Sequence, residues 1–153
     1  MQMKKIIFYI SIVFTFISCI NNQSDATHVK IFTTPISKIK MTLSAFGVES
    51  DNFPSIDVYI DFEKDSSYCH KSFYNPAYKD SIYILTPAEL KNILDLLKNV
   101  DLQKIKKDYK EEKTDQPSST TIIYTAQGKF TINDYGLIAD APLSQLYKIV
   151  YKF

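Results

Sequence analysis

The chain has 153 residues with 18 basic and 17 acidic side chains, a formal net charge of +1 at pH 7. With so little excess charge there is no basic field to draw in nucleic acid, and that class of partner is excluded. All the basic residues are lysines, so the planar guanidinium fork used for bidentate phosphate or carboxylate capture is missing, and two cysteines with two histidines are too few for a disulfide framework or a zinc site of the usual spacing.

In chain order, Met1-Gln2-Met3-Lys4-Lys5 is a short basic segment. Ile6 to Ser18 then runs without a charge, as the apolar part of an export signal does. The polar run Asn21-Asn22-Gln23-Ser24-Asp25 follows too soon for a membrane-spanning helix, which needs about twenty apolar residues. Phe16-Ile17-Ser18-Cys19 resembles the lipobox of bacterial lipoproteins, with Phe16 where leucine is usual. The resemblance implies cleavage before Cys19, lipid attachment to its sulfur, and anchoring rather than spanning, since several buried acyl chains at ~0.8 kcal/mol per methylene hold a protein on a bilayer nearly permanently. Ile20 is not the aspartate that retains lipoproteins at the inner membrane of enteric bacteria, which implies an outer-membrane address. The organisation expected is a signal over 1–18, a lipid-anchored polar tether over 19–30 and a single domain over 31–153. Without Lys4 and Lys5 the mature chain has a slight acidic excess.

Ile36 to Ala45 approaches period two and predicts a first strand. Ile56, Val58, Ile60 and Phe62 alternate with Asp57, Tyr59 and Asp61, giving a second strand with one dry and one wet face. Lys64-Asp65-Ser66-Ser67 has turn composition, and Tyr68 to Tyr74 and Ser81 to Leu85 are weaker strands separated by Asn75-Pro76. Thr86-Pro87-Ala88-Glu89 predicts a helix start with a capping box, followed by an apolar stripe of Leu90, Ile93, Leu94 and Leu97. A shorter helical piece is expected from Leu102 to about Tyr109, then a charged run Lys110-Glu111-Glu112-Lys113. Thr120 to Tyr124, a turn at Gln127-Gly128 and Lys129 to Tyr135 read as a hairpin. Asp140 and Pro142 then open a second helix with Leu143, Leu146, Ile149 and Val150 buried. The class expected is α+β: an antiparallel sheet of about five to six strands with two main helices packed on one face.

Ile36-Ser37-Lys38-Ile39, Tyr109 with Thr114-Asp115-Gln116-Pro117-Ser118, Asn133-Asp134-Tyr135 and Ala141-Pro142-Leu143 together resemble a family of small bacterial lipoproteins known only as a domain of unknown function. The resemblance covers most of the mature domain and implies no activity. Many relatives carry a Cys-x-Gly-x-Cys-Pro-like element between the first two strands. Here Ala45-Phe46-Gly47-Val48 lacks both cysteines, so a thiol role implied by such relatives is lost.

Four constellations carry candidate chemistry. Asp115 is a carboxylate that a loop could present at a pocket edge, but Thr114-Asp115-Gln116-Pro117 also has the composition of a structural Asx turn. Asp57 and Asp61 share the wet strand face with Tyr59 between them, as a calcium or hydrolytic pair would, and equally as ordinary outward polar residues do. Cys69 and His70 are adjacent, so a strand would point them to opposite faces and prevent joint action. Tyr68, Phe73, Tyr74 and Tyr78 cluster around Pro76 in a composition typical of interfaces, since tyrosine gives large contact area at low entropy cost. No catalytic set, metal site or cofactor beyond the lipid on Cys19 is expected. The reading is a non-catalytic envelope module that meets the bilayer through Cys19 and a protein, glycan or peptide through the wet face or the segment carrying Tyr68, Tyr74 and Tyr78. The alternatives are a hydrolase using Asp115 or the Asp57 and Asp61 pair, and an accessory subunit of an envelope complex.

Overall fold

A computed structural model describes residues 35–48, 50–64 and 66–152. The signal, Cys19 and the tether lie outside the described residues. The elements are β1 (Ile36–Ser44), β2 (Ser55–Asp61), β3 (Tyr68–Ser72), β4 (Ser81–Ile84), α1 (Pro87–Leu97), a 3-10 turn (Leu102–Lys104), β5 (Asp108–Lys110), β6 (Ser118–Thr125), β7 (Gly128–Tyr135) and α2 (Leu143–Val150). All seven strands join one sheet in the order β4-β3-β2-β1-β6-β7-β5. Every pairing is antiparallel except that of β5 with β7.

This corrects the expected α+β antiparallel sheet of about five to six strands with two main helices packed on one face. Among the described residues strand outweighs helix, the sheet is mixed and has seven strands, and the two α-helices are short, with 11 and 8 residues. The difference begins at residue 105, where the expected helical piece stops after three residues of 3-10 turn. Asp108-Tyr109-Lys110 instead adds to the edge of β7, fixed by Asn133 N–H to the Lys107 carbonyl at 2.7 Å and Glu111 N–H to the Tyr135 carbonyl at 2.9 Å. A three-residue strand has no alternation to read, and the open backbone of β7, not local propensity, recruits it.

The core follows from period two. Ile39, Met41 and Leu43 of β1, Ile56, Val58 and Ile60 of β2, Ile123 of β6 and Ile132 of β7 all point to one side. They form a buried cluster with Ile93 and Leu97 of α1 and Leu143, Leu146 and Val150 of α2. The capping box of α1 is present, with Glu89 N–H donating to Thr86 Oγ1 at 3.3 Å and Thr86 N–H donating to Glu89 Oε2 at 2.8 Å. Of its expected stripe, Ile93 and Leu97 are buried and Leu90 packs half-buried against the core, while Leu94 is exposed. For α2, Asp140 supplies no side-chain cap; Pro142 holds the N-cap position.

Candidate functional site on the open sheet face

Alternation leaves a second face of the sheet. Register places Lys38, Lys40 and Thr42 of β1 beside Asp61, Tyr59 and Asp57 of β2, with Tyr68 and His70 of β3 following and Ile84 and Ile82 of β4 outermost. On the other flank of β1, Lys38 and Lys40 lie beside Tyr124 and Ile122 of β6. None of these side chains belongs to the buried cluster, which lies on the opposite face. Ile82 and Ile84 remain 68% and 65% exposed.

The centre of this face is an aromatic and lysine cluster. The Tyr59 and Tyr68 rings stack with centroids 5.8 Å apart, and the ammonium groups of Lys38 and Lys40 sit 5.3 and 5.8 Å from the Tyr59 centroid. Lys38 pairs with Asp61 at 3.6 Å. The Asp61 carboxylate, only 3% exposed as a residue, also accepts from Tyr59 Oη at 3.1 Å and the Glu63 amide at 3.1 Å. Burial pushes the Asp61 carboxyl up, but the Glu63 amide, the Tyr59 hydroxyl and Lys38 outweigh it and hold it below the usual range. Asp61 therefore anchors the cluster.

The two aspartates of β2 do not converge. Asp57 is exposed and lies four residues from Asp61, roughly 13 Å along a strand at ~3.3 Å per residue. Asp115 is exposed at φ 59° in the loop before β6, where its carboxylate accepts from Thr114 Oγ1 at 3.0 Å. The structure thus separates the three carboxylates. Among the described residues no three His, Cys, Asp or Glu side chains gather in a way that could hold a metal ion.

Cys69 and His70 occupy β3 and face opposite sides. Cys69 is buried, and burial pushes its thiol up to about 11, so it carries little thiolate at neutral pH. Of the tyrosines, Tyr68 joins the cluster on Tyr59, Tyr78 packs on Phe73 at 5.5 Å, and Tyr74 is fully exposed beside the β1–β2 loop. The segment is therefore divided between the sheet face and one end of the sheet. Nothing in the sequence marks Lys38, Lys40, Ile82 or Ile84 as part of a site on the sheet face. Alternation within β1 and β4 places them on the wet face, but only the strand register brings them beside Tyr59 and Tyr68.

Of the segments that carry the resemblance, Ile36–Ile39 lies in β1 beside the far end of β6, and the others assemble one corner. Tyr109 pairs with Asp134 across β5 and β7. The Gln116 amide donates to Tyr135 Oη at 3.2 Å, and the Gly136 amide to the Pro117 carbonyl at 2.8 Å. Both Asp134 oxygens accept backbone amides, from Ile138 at 2.9 Å and Ala139 at 3.0 Å, leading the chain toward Ala141-Pro142-Leu143. With its acceptors committed to backbone, Asp134 holds the loop between β7 and α2 in place. No described helix is long and apolar enough to cross a membrane.

Comparison with curated proteins returns no match, and comparison with solved structures returns none. Residues 50–153, which carry β2 to β7 and both helices, match the family described as a domain of unknown function (DUF6438), and the chain belongs to that family.

Proposed function

We propose that this is a cell-envelope protein anchored in the outer membrane by lipid on Cys19, and that its folded part is a non-catalytic binding module. The observation that carries the binding reading is the open sheet face, where the stacked Tyr59 and Tyr68, flanked by Lys38 and Lys40, run on into the exposed Ile82 and Ile84. Rigid aromatic rings bordered by charge on a regular element favour recognition, because the side chains lose little entropy on contact. The separation of Asp57, Asp61 and Asp115 supports a binding role over hydrolysis, which needs a base, a nucleophile or a ligand set within reach of one another. The anchor reading rests on the uncharged run from Ile6 to Ser18 that ends at Cys19.

Membrane fractionation with cross-linked affinity capture tests both parts. Cys19→Ala moves the protein from the membrane to the soluble fraction. Tyr68→Ala and Ile82→Glu leave the protein on the membrane but remove a partner recovered at stoichiometric yield with the unaltered chain. If the Cys19→Ala chain stays on the membrane, the anchor reading falls. If capture is unchanged by both face substitutions, the binding reading falls.

A further inference from the structure

At one end of the same sheet, the β1–β2 and β3–β4 connections enclose a cleft of about 740 Å³. That size lies within the range of small-ligand sites. Its formation follows from register: β2 and β3 pair Ser55 with Ser72, so the chain leaving β3 carries Tyr74 toward the loop that joins β1 to β2. Phe46 from that loop and Tyr74 from the other are the two most exposed large hydrophobic residues among those described, at 93% and 103%, and both line the cleft. Full exposure of two aromatic rings is unfavourable in water, and their meeting at one concavity marks a contact surface.

The polar lining narrows the ligand class. Ser44 and Ser55 stand at the ends of β1 and β2; Ser44 Oγ accepts from the Phe46 amide at 3.2 Å and Ser55 Oγ from the Ala45 amide at 3.3 Å. Each hydroxyl proton is left for an external acceptor. Asp51 is the one formal charge among the described lining residues and offers acceptor oxygens, and none of those residues is a lysine or histidine. An anionic ligand could accept from the serines but would be repelled by Asp51, and an organic cation would use Asp51 and the two rings but leave the serine donors to water. A neutral sugar ring satisfies all three requirements: apolar C–H faces for the Phe46 and Tyr74 rings, oxygen acceptors for the serines, and hydroxyl donors for Asp51.

Resting on the binding reading above and adding a second site to it, we infer that this cleft binds a neutral glycan, gripped by Phe46 and Tyr74 and oriented by Ser44, Ser55 and Asp51. An apolar peptide is the competing occupant: it would use the Phe46 and Tyr74 rings and could accept from the serines through its carbonyls, but it does not need Asp51 as an acceptor for a row of hydroxyl donors.

Titration of the full chain in detergent with maltotriose and with an N-acetylglucosamine trimer, followed by amide NMR shifts, tests this. Saturable shifts confined to residues 44–55 and 72–78 are expected with at least one of the trimers. Phe46→Ala and Tyr74→Ala each weaken binding tenfold or more with an unchanged melting temperature, because neither ring is packed in the core. Asp51→Asn weakens it, and Tyr68→Ala on the sheet face leaves it intact. If neither trimer shifts the cleft residues, or if a phenylalanine-rich peptide binds there and the trimers do not, the inference is overturned. Partner capture that is lost with Tyr68→Ala but unaffected by Tyr74→Ala would keep the sheet-face reading when the glycan inference fails.

Discussion

Two buried side chains illustrate how residue chemistry sorts structure from function. The Asp134 carboxylate takes the amide of the exposed Ile138 and that of the buried Ala139, and the Ala139 amide would otherwise lack a partner inside the protein. Leaving a buried donor unpaired costs ~1–3 kcal/mol, so Asp134→Ala is expected to lower stability by on the order of 2 kcal/mol, measured as a fall in the urea midpoint by circular dichroism. Asn133-Asp134-Tyr135 could be seen in the sequence as part of a hairpin, but the clamp could not, because its partners lie beyond the strand in a loop with no pattern of its own. Cys69 gives the opposite kind of test. Its raised pKa and burial predict that, in a Cys19→Ala chain, an aromatic disulfide reagent labels it at least a hundredfold more slowly in the folded than in the unfolded protein. Rapid labelling of the folded chain would mean that Cys69 is accessible.

Among the elements, α1 is where local sequence and structure agree best, and the reason is chemical. Its start is set by side chains that bond their own backbone within three residues, so the signal is complete in Thr86-Pro87-Ala88-Glu89. Tertiary structure then adds what the sequence could not show: Glu89 also receives Lys152 Nζ at 2.7 Å and Tyr83 Oη at 2.9 Å, with Lys152 lying 3.0 Å from the Tyr83 ring centroid. Partial burial alone would raise the Glu89 carboxyl, but the bonds from Lys152, Thr86 and Tyr83 prevail and hold it at about 2, against 4.5 ordinarily. A carboxyl that titrates lower when folded stabilises the fold fully above about pH 4.5, and that contribution fades as the pH falls toward about 2. The denaturation midpoint is therefore expected to drop over that interval, and to drop less in Glu89→Gln. β5 is the contrasting element. Asp108-Tyr109-Lys110 sits in a charged stretch with helical spacing upstream, and only the exposed edge of β7 makes it a strand. The strand faces were legible from alternation, while the order of strands, and with it the neighbours of Tyr59, was not.

At the scale of the whole molecule, the central strand decides what can fold. The family match begins at residue 50, yet β1 lies between β2 and β6 and contributes Ile39, Met41 and Leu43 to the core. Without it the sheet divides into β4-β3-β2 and β6-β7-β5, joined only through the helices and loops. A fragment of residues 50–153 is therefore expected to lack a cooperative thermal transition that a fragment of residues 31–153 retains, as calorimetry of the two would show. That same strand supplies Lys38 and Lys40 to the open face, so one element joins the folding core to the binding surface. The most direct test of that surface is photocross-linking in intact membranes, with a photoreactive phenylalanine analogue placed at Tyr68 on the open face or at the exposed Lys148 of α2 on the opposite side. A discrete adduct from position 68 and none from position 148 is the expected result. Equal labelling from both positions, or no adduct from position 68, would contradict a binding role for the open sheet face.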